Sequence, residues 1–126
     1  MIPKNIKPTE SELTILNVLW NKNQATVREV HEVLNLKKDS GYTTTLKLMQ
    51  IMHEKGLVTR NDSSKTHIYK ANVSKEKTQN QLLGNMINNL FSGSAAQLVM
   101  QTLGNHNATT EELNEIQSIL NQLKKK

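Results

Sequence analysis

The sequence contains two fragments of a zinc-binding helix motif, and both are incomplete. Residues 31–35 read HEVLN, which is the H-E-x-x-H pattern of zinc proteases with Asn35 in place of the second histidine. Two imidazoles four residues apart are needed to hold the ion on one helix face. His53 also precedes a glutamate but has no histidine four positions later, and His67 and His106 lie in other segments. The sequence therefore predicts no metal site.

Other arrangements that support catalysis are missing as well. The chain has no cysteine, which excludes disulfides, thiolate metal sites and cysteine nucleophiles. Its five glycines are too far apart to form a phosphate-binding loop. No serine lies in a nucleophile-elbow pattern. We therefore expect a protein that is not an enzyme and that needs no cofactor.

One predicted helix carries a polar face with side chains suited to DNA. Residues 42–55 show a core face at helical spacing, opposite a polar face. Thr43 and Thr44 at the helix start are suited to donate to phosphate. Lys47 suits phosphate or guanine, and Gln50 suits a bidentate pair with adenine. The predicted core face consists of Thr45, Leu48, Met49 and Met52.

Several of these positions have a second interpretation. Leu46 either meets a thymine methyl group or packs in the core. Lys47 is either a DNA contact or a solvated lysine. Arg60 and Lys65 lie in a predicted hairpin, where they either contact the DNA backbone or minor groove or serve only the solubility of the hairpin.

Capping-box pairs mark the first two helices. Thr9 and Glu12 are three residues apart, as are Thr26 and Glu29, so each hydroxyl and carboxylate can satisfy free backbone N–H groups at a helix start. A turn at residues 37–41 is expected before the third helix. The apolar residues at helical spacing in the first helix are Leu13, Leu16, Leu19 and Trp20.

The sequence period changes from helical to alternating after the third helix. Gly56 is the expected end of that helix. Residues 57–60 and 66–70 predict two short strands around a polar turn. With a short extended piece at residues 24–26, the order of elements is that of a winged helix, a helix-turn-helix variant. The predicted fold class is mainly α with a small β-wing, and residues 1–73 form the DNA-binding domain.

Residues 74–126 predict three further helices with apolar stripes. Ser74 caps the first, residues 95–103 form the second with Gly104 as its end, and Thr109 caps the third. These helices have few neighbours in their own chain, so the stripes predict a dimerisation region. The alternative is that they fold back on the first domain. The predicted dimerisation residues are Leu82, Met86, Leu90, Leu113, Ile116, Leu120 and Leu123.

The charge and hydropathy of the chain indicate its cellular environment and the kind of partner it binds. The 126 residues carry a net charge of +5. Eleven of the 16 basic side chains lie in residues 1–73, against seven acids, which fits a phosphate-backbone partner. No apolar run approaches the roughly 20 residues of a membrane span, and the N-terminus lacks a signal-peptide core. We expect a cytoplasmic protein with no membrane insertion.

The sequence resembles the BlaI/MecI penicillinase-repressor family in several segments. These are residues 42–46 and 53–60, Tyr69 after the hairpin, and the Val-Leu-Trp that ends at Trp20. The resemblance extends over essentially the whole chain. It implies a homodimeric winged-helix repressor on a double-stranded DNA operator with dyad symmetry. Family members control β-lactamase, penicillin-binding-protein or copper-transport genes. Their release often follows cleavage in the C-terminal region, triggered by a membrane metalloprotease sensor.

Departures from the family pattern limit which properties of the family can be expected of this chain. Ile51 stands where members often carry a basic residue, so the operator sequence does not transfer. The β-lactam repressors are cut at an Asn-Phe bond, whereas the matching segment here has Gln101-Thr102. The predicted cleavage region is therefore Met100, Gln101 and Thr102, with the bond and the β-lactam response left open. The absence of cysteine excludes copper sensing through C-terminal cysteines.

Two alternatives to this repressor remain at the level of sequence. One is a winged-helix regulator of another family that senses a small molecule in a pocket. The other is a winged-helix protein-interaction module that never touches DNA. The polar exposed face of the third helix favours DNA, because an interaction helix carries a broader apolar face.

Overall fold

Six helices and three strands form from the residues that the computed structural model describes, which are 7–35, 41–105 and 107–125. The predicted turn at residues 37–41 lies outside these residues except for Gly41. The elements in chain order are α1 (Glu10–Lys22), β1 (Ala25–Thr26), α2 (Val27–Asn35), α3 (Tyr42–Lys55), β2 (Val58–Asn61), β3 (Ile68–Ala71), α4 (Lys75–Leu90), α5 (Ala95–Asn105) and α6 (Thr110–Lys124).

The chain divides into two compact units, Met1–Leu82 and Leu83–Lys126. The division falls inside α4, whereas the sequence places the domain boundary before Ser74. The first turn of α4 belongs to the first unit, where Thr78 is buried. The first unit contains the winged-helix elements in the predicted order, so the fold class is confirmed.

Helix α1 supplies much of the core of the first unit. The predicted capping box at its start is present, since the Thr9 N–H donates to Glu12 Oε1 at 2.9 Å and the Glu12 N–H donates to Thr9 Oγ1 at 3.2 Å. Trp20 is half-buried, and its Nε1 donates to the Val73 carbonyl at 3.0 Å. The buried apolar side chains of α1 are Ile15, Leu16, Val18 and Leu19.

The three strands form one antiparallel sheet in the order β1-β3-β2. Tyr69 on β3 pairs with Ala25 of β1 on one side and with Arg60 of β2 on the other. Its side chain is buried with Val58 in the core. Gly56 ends α3 as predicted, at φ 86°, a conformation that glycine adopts without strain. The hairpin β2–β3 is the wing.

In the second unit, α4 ends before Ser92 and Gly93, which have positive φ and separate it from α5, as predicted. The predicted end of α5 at Gly104 is wrong, because the helix continues through this glycine to Asn105. A helix tolerates one glycine at a cost of about 1 kcal/mol, so glycine alone does not end it. The capping box of Thr109 and Glu112 at the start of α6 is confirmed.

An ion pair between a buried carboxylate and a partly exposed lysine connects α1 to the end of α3. The Glu12 carboxylate is only 2% exposed and accepts a 2.8 Å hydrogen bond from Lys55 Nζ. Burial raises the pKa of the Glu12 carboxyl, but the hydrogen bonds from Lys55 and Thr9 outweigh it and hold this pKa below its ordinary value. The ionised carboxylate therefore stabilises the fold above the ordinary glutamate pKa, and this contribution is lost as the pH falls through the lowered value.

We expect Lys55→Met to reduce the free energy of unfolding by about 1–3 kcal/mol, because it leaves the Glu12 carboxylate enclosed without its cation. The figure is below that of a fully buried pair because Lys55 is about one-third exposed. Urea unfolding at pH 7 measures this loss, which should shrink at acid pH as Glu12 becomes protonated. Adding Glu12→Gln should recover most of it, since glutamine also completes a capping box. An equal loss at all pH values would contradict this role of the pair.

Candidate nucleic-acid interface

Helix α3 presents the two faces that the sequence predicts. Thr45, Met49 and Met52 are buried, and Leu48 is half-buried against the same core. The opposite face is exposed, and its members are Thr43, Thr44, Lys47, Gln50 and Glu54. The pattern-based division of this helix into a core side and a polar side is therefore confirmed.

The N-cap residue of α3 provides no side-chain cap. Gly41 is the N-cap in an extended conformation and supplies no side chain to cap the helix. The N–H groups of Thr44 and Thr45 donate to the Gly41 carbonyl at 3.2 and 3.3 Å. The positive end of the helix dipole and the exposed hydroxyls of Thr43 and Thr44 thus lie together at one end of the polar face.

A groove of about 480 Å³ lies between the start of α2, the polar side of α3 and the wing. It brings together three residues that the sequence assigns to DNA, Leu46 and Gln50 from α3 and Lys65 from the wing. Leu46 is half-buried and packs against the core while lining this groove. The packing interpretation therefore describes its position, and a contact with a thymine methyl group stays a prediction. Thr43, Thr44 and Lys47 lie outside the groove lining.

The wing arginine has a partner in its own hairpin. Arg60 donates to both carboxylate oxygens of Asp62, from Nε at 2.7 Å and from one terminal nitrogen at 3.4 Å. Interaction with Tyr69 and then with Asp62 raises the pKa of the Arg60 guanidinium, which stays charged. The same carboxylate lies 3.6 Å from His67 Nδ1. Arg60 is therefore paired with a carboxylate of its own wing, whereas Lys65 at the turn is exposed.

The groove also contains residues that sequence reasoning missed. Arg28 from the first turn of α2 and Tyr42 from the start of α3 line it, and the Arg28 guanidinium carbon lies 5.4 Å from the centre of the Tyr42 ring. Their residue types fit the basic N-terminal half, but their spacing gives no pattern, because the contact joins two separate helices.

The predicted dimerisation residues form exposed apolar surface in the single chain. Leu90 is 73% exposed, and Leu82 and Ile116 are half-buried. Helices α5 and α6 are described over their full length, and neither contains a buried residue. In the predicted cleavage region, Met100, Gln101 and Thr102 are all exposed on α5. The other exposed members of the predicted set are Met86, Leu113, Leu120 and Leu123.

Neither a metal-binding cluster nor a membrane-spanning helix is found in the part of the chain that the structure describes. Residues 7–35, 41–105 and 107–125 contain no group of three or more histidine, cysteine, aspartate or glutamate side chains arranged to hold a metal ion. Within the same ranges, no helix has the length and apolar character needed to cross a membrane.

Comparison with known proteins identifies the family. The family model of the penicillinase repressor matches residues 8–122. The penicillinase repressor of Staphylococcus aureus is 22% identical over the full length of both chains. The methicillin resistance regulatory protein MecI of Staphylococcus aureus strain N315 is 24% identical over 94% of this chain and 97% of its own. The solution structure of the DNA-binding domain of the repressor BlaI aligns with a TM-score of 0.51 and 19% identity, covering 60% of this chain and 88% of that one.

The arrangement of helices and strands in the first unit is that of a winged-helix protein. The chain belongs to the penicillinase repressor family, as the match over residues 8–122 shows. This is a family of DNA-binding transcriptional repressors and not of enzymes, which confirms both the resemblance seen in the sequence and the expectation of a non-catalytic protein.

Proposed function

We propose that this protein is a cytoplasmic homodimeric repressor that places α3 in the major groove of a double-stranded DNA operator with dyad symmetry. The observation that carries the proposal is the groove in which Gln50 of α3 and Lys65 of the wing lie together. A glutamine can read adenine while a lysine neutralises the adjacent backbone. Thr43, Thr44, Leu46, Lys47 and Arg60 complete the proposed DNA-contact set.

The proposal assigns separate roles to the two parts of the chain. Residues 1–73 bind DNA, and residues 74–126 hold two copies together. The support for dimerisation is the number of large apolar side chains that α4, α5 and α6 leave exposed, because apolar surface of this extent is typical of protein–protein contacts. A second copy that covers the stripe of Leu113, Leu120 and Leu123 would remove this surface from water.

Release from DNA is the third part of the proposal. Met100, Gln101 and Thr102 are exposed on an 11-residue helix that buries none of its own residues. Such a helix opens locally at low cost, which makes it accessible to a protease. We place the cut or the loosening event in residues 92–107, with a membrane metalloprotease sensor as the proposed partner, in line with the family resemblance.

The test of the whole proposal is selection of genomic DNA fragments by the purified protein, followed by footprinting. A dimer should protect two related half-sites whose centres lie about 10 base pairs, or a multiple of this, apart. Recovery of fragments without a common sequence, at an affinity equal to that for random DNA, would contradict it. A single protected half-site would contradict the dimeric part alone.

We expect Lys47 and Gln50 to contribute to DNA binding in different ways. Lys47→Ala should weaken binding to operator and random DNA alike and reduce the salt dependence by about one unit, because a phosphate contact releases one counterion. Gln50→Ala should cost about 1–3 kcal/mol on the operator and relax one base position. Lys77→Ala in α4, which removes the same charge from an exposed residue outside the proposed contact set and away from the apolar stripes, is the control. Equal effects of Gln50→Ala on operator and random DNA would remove it from the base-reading residues.

A further inference from the structure

An arginine and a tyrosine from two different helices meet at the edge of the DNA-contact surface. Arg28 is the second residue of α2, and Tyr42 is the first residue of α3. The Arg28 guanidinium carbon lies 5.4 Å from the Tyr42 ring centre, within the range of a cation–π interaction. Both side chains are exposed, and Tyr42 retains 39% of its surface. A guanidinium stacked on a ring still has its N–H edges available to an anion.

The Tyr42 ring is itself positioned by a second contact. The His31 ring meets it edge-on, with ring centres 5.6 Å apart and planes at 78°. His31 Nδ1 lies 3.3 Å from Oγ1 of Thr45, which is buried in the core face of α3. A series of contacts thus runs from the core through His31 and Tyr42 to the exposed Arg28. The side chain of Arg28 has a defined place even though it lies at the surface.

The surroundings of Arg28 suit a phosphate group. The groove that Arg28 and Tyr42 line also contains Lys65 from the wing, so two cationic side chains share it with Gln50. The neighbouring acid, Glu29, has a partner of its own, because its carboxylate accepts the Thr26 N–H at 2.9 Å in the α2 capping box.

We propose that Arg28 binds a backbone phosphate of the operator and that Tyr42 is its positioning residue. The inference rests on the proposed DNA-binding function and adds to it a contact from outside α3 and the wing. Phosphate contacts fix the register of a protein on the duplex without reading sequence. The Arg28 contact therefore sets where Gln50 meets the base edges, and Tyr42 sets where Arg28 meets the phosphate.

The test is a double-mutant cycle on the selected operator, measured over a range of salt concentrations. Arg28→Ala should weaken binding by about tenfold and reduce the salt dependence by about one unit. Tyr42→Leu should weaken binding by about two- to fivefold in the native background, which is the size of a cation–π contact, and have little effect in the Arg28→Ala background. Tyr42→Phe keeps the ring and should bind as the native protein does.

The controls separate the possible failures. Lys77→Ala should leave the affinity and the salt dependence unchanged, and a thermal unfolding curve of Tyr42→Leu should match that of the native protein. If the native protein binds no DNA, the proposed function fails. If the native protein binds but Tyr42→Leu costs the same in both backgrounds, or Arg28→Ala leaves the salt dependence unchanged, the Arg28–Tyr42 inference is overturned. A loss with Tyr42→Phe equal to that with Tyr42→Leu would assign the effect to the hydroxyl and also overturn it.

Discussion

Replacing Leu120 by aspartate is expected to split the dimer and to weaken operator binding by about 10²–10⁴-fold. Leu120 lies in the apolar stripe of α6 and is 45% exposed in the single chain. A leucine buried at an interface contributes roughly 1.5–3 kcal/mol, and an aspartate there adds the cost of an unpaired buried charge. Two linked winged helices bind a dyad with the second contact at a high effective concentration, which a monomer loses.

Because Leu120 is exposed in the single chain, its replacement should leave the core of the first unit intact. Gln122→Asp is the matched control, since this residue lies on the opposite side of α6 and is also exposed. Sedimentation at tens of micromolar, which is roughly the range of a dimer tight enough to matter, measures the assembly. A monomeric native chain at that concentration, or a dimeric Leu120→Asp variant, would refute the proposed interface. Unchanged thermal unfolding of the first unit would show that the affinity loss comes from assembly.

Local patterns in the sequence predicted most elements of the fold, because the interactions that define these elements are themselves local. Three capping boxes are present where a threonine precedes a glutamate by three residues, and they define the starts of α1, α2 and α6. The strands begin one or two residues later than predicted, at Val58 and Ile68. Strand ends depend on which residues pair across the sheet, and this pairing is not visible in a single segment.

Core membership and the proposed DNA-contact surface were only partly predictable from the sequence. The leucine spacing of α1 pointed to Leu13 and Trp20, which are half-buried, and missed Ile15 and Val18, because α1 is enclosed on more than one side. The polar face of α3 followed from helical periodicity alone. The Arg28–Tyr42 contact depends on how two helices pack, and no spacing along the chain encodes it.

Cutting the chain within α5 is expected to release it from the operator without any change in the DNA-contact residues. A chain that ends at Phe91 lacks α5 and α6 and with them the stripe of Leu113, Leu120 and Leu123. It should be monomeric and bind the operator about 10²–10⁴-fold more weakly, while keeping the affinity of a single domain for random DNA. Sedimentation and operator titration measure the two effects. A truncated chain that still dimerises and binds with undiminished affinity would show that the release step does not lie in residues 92–107.

A site for a specific protease, placed at Gln101-Thr102, tests the same step on the assembled protein. Both residues are exposed, so replacing them leaves the core unchanged. Adding the protease to the preformed DNA complex should release the operator as the chain is cut, because the two halves of the cut helix no longer hold the dimer surface together. The same site appended after Lys126 is the control, and its cleavage should leave the complex intact. Complete cutting at Gln101-Thr102 with the operator still bound would mean that the fragments keep the dimer surface together, and that release requires a ligand or a cut elsewhere in the chain.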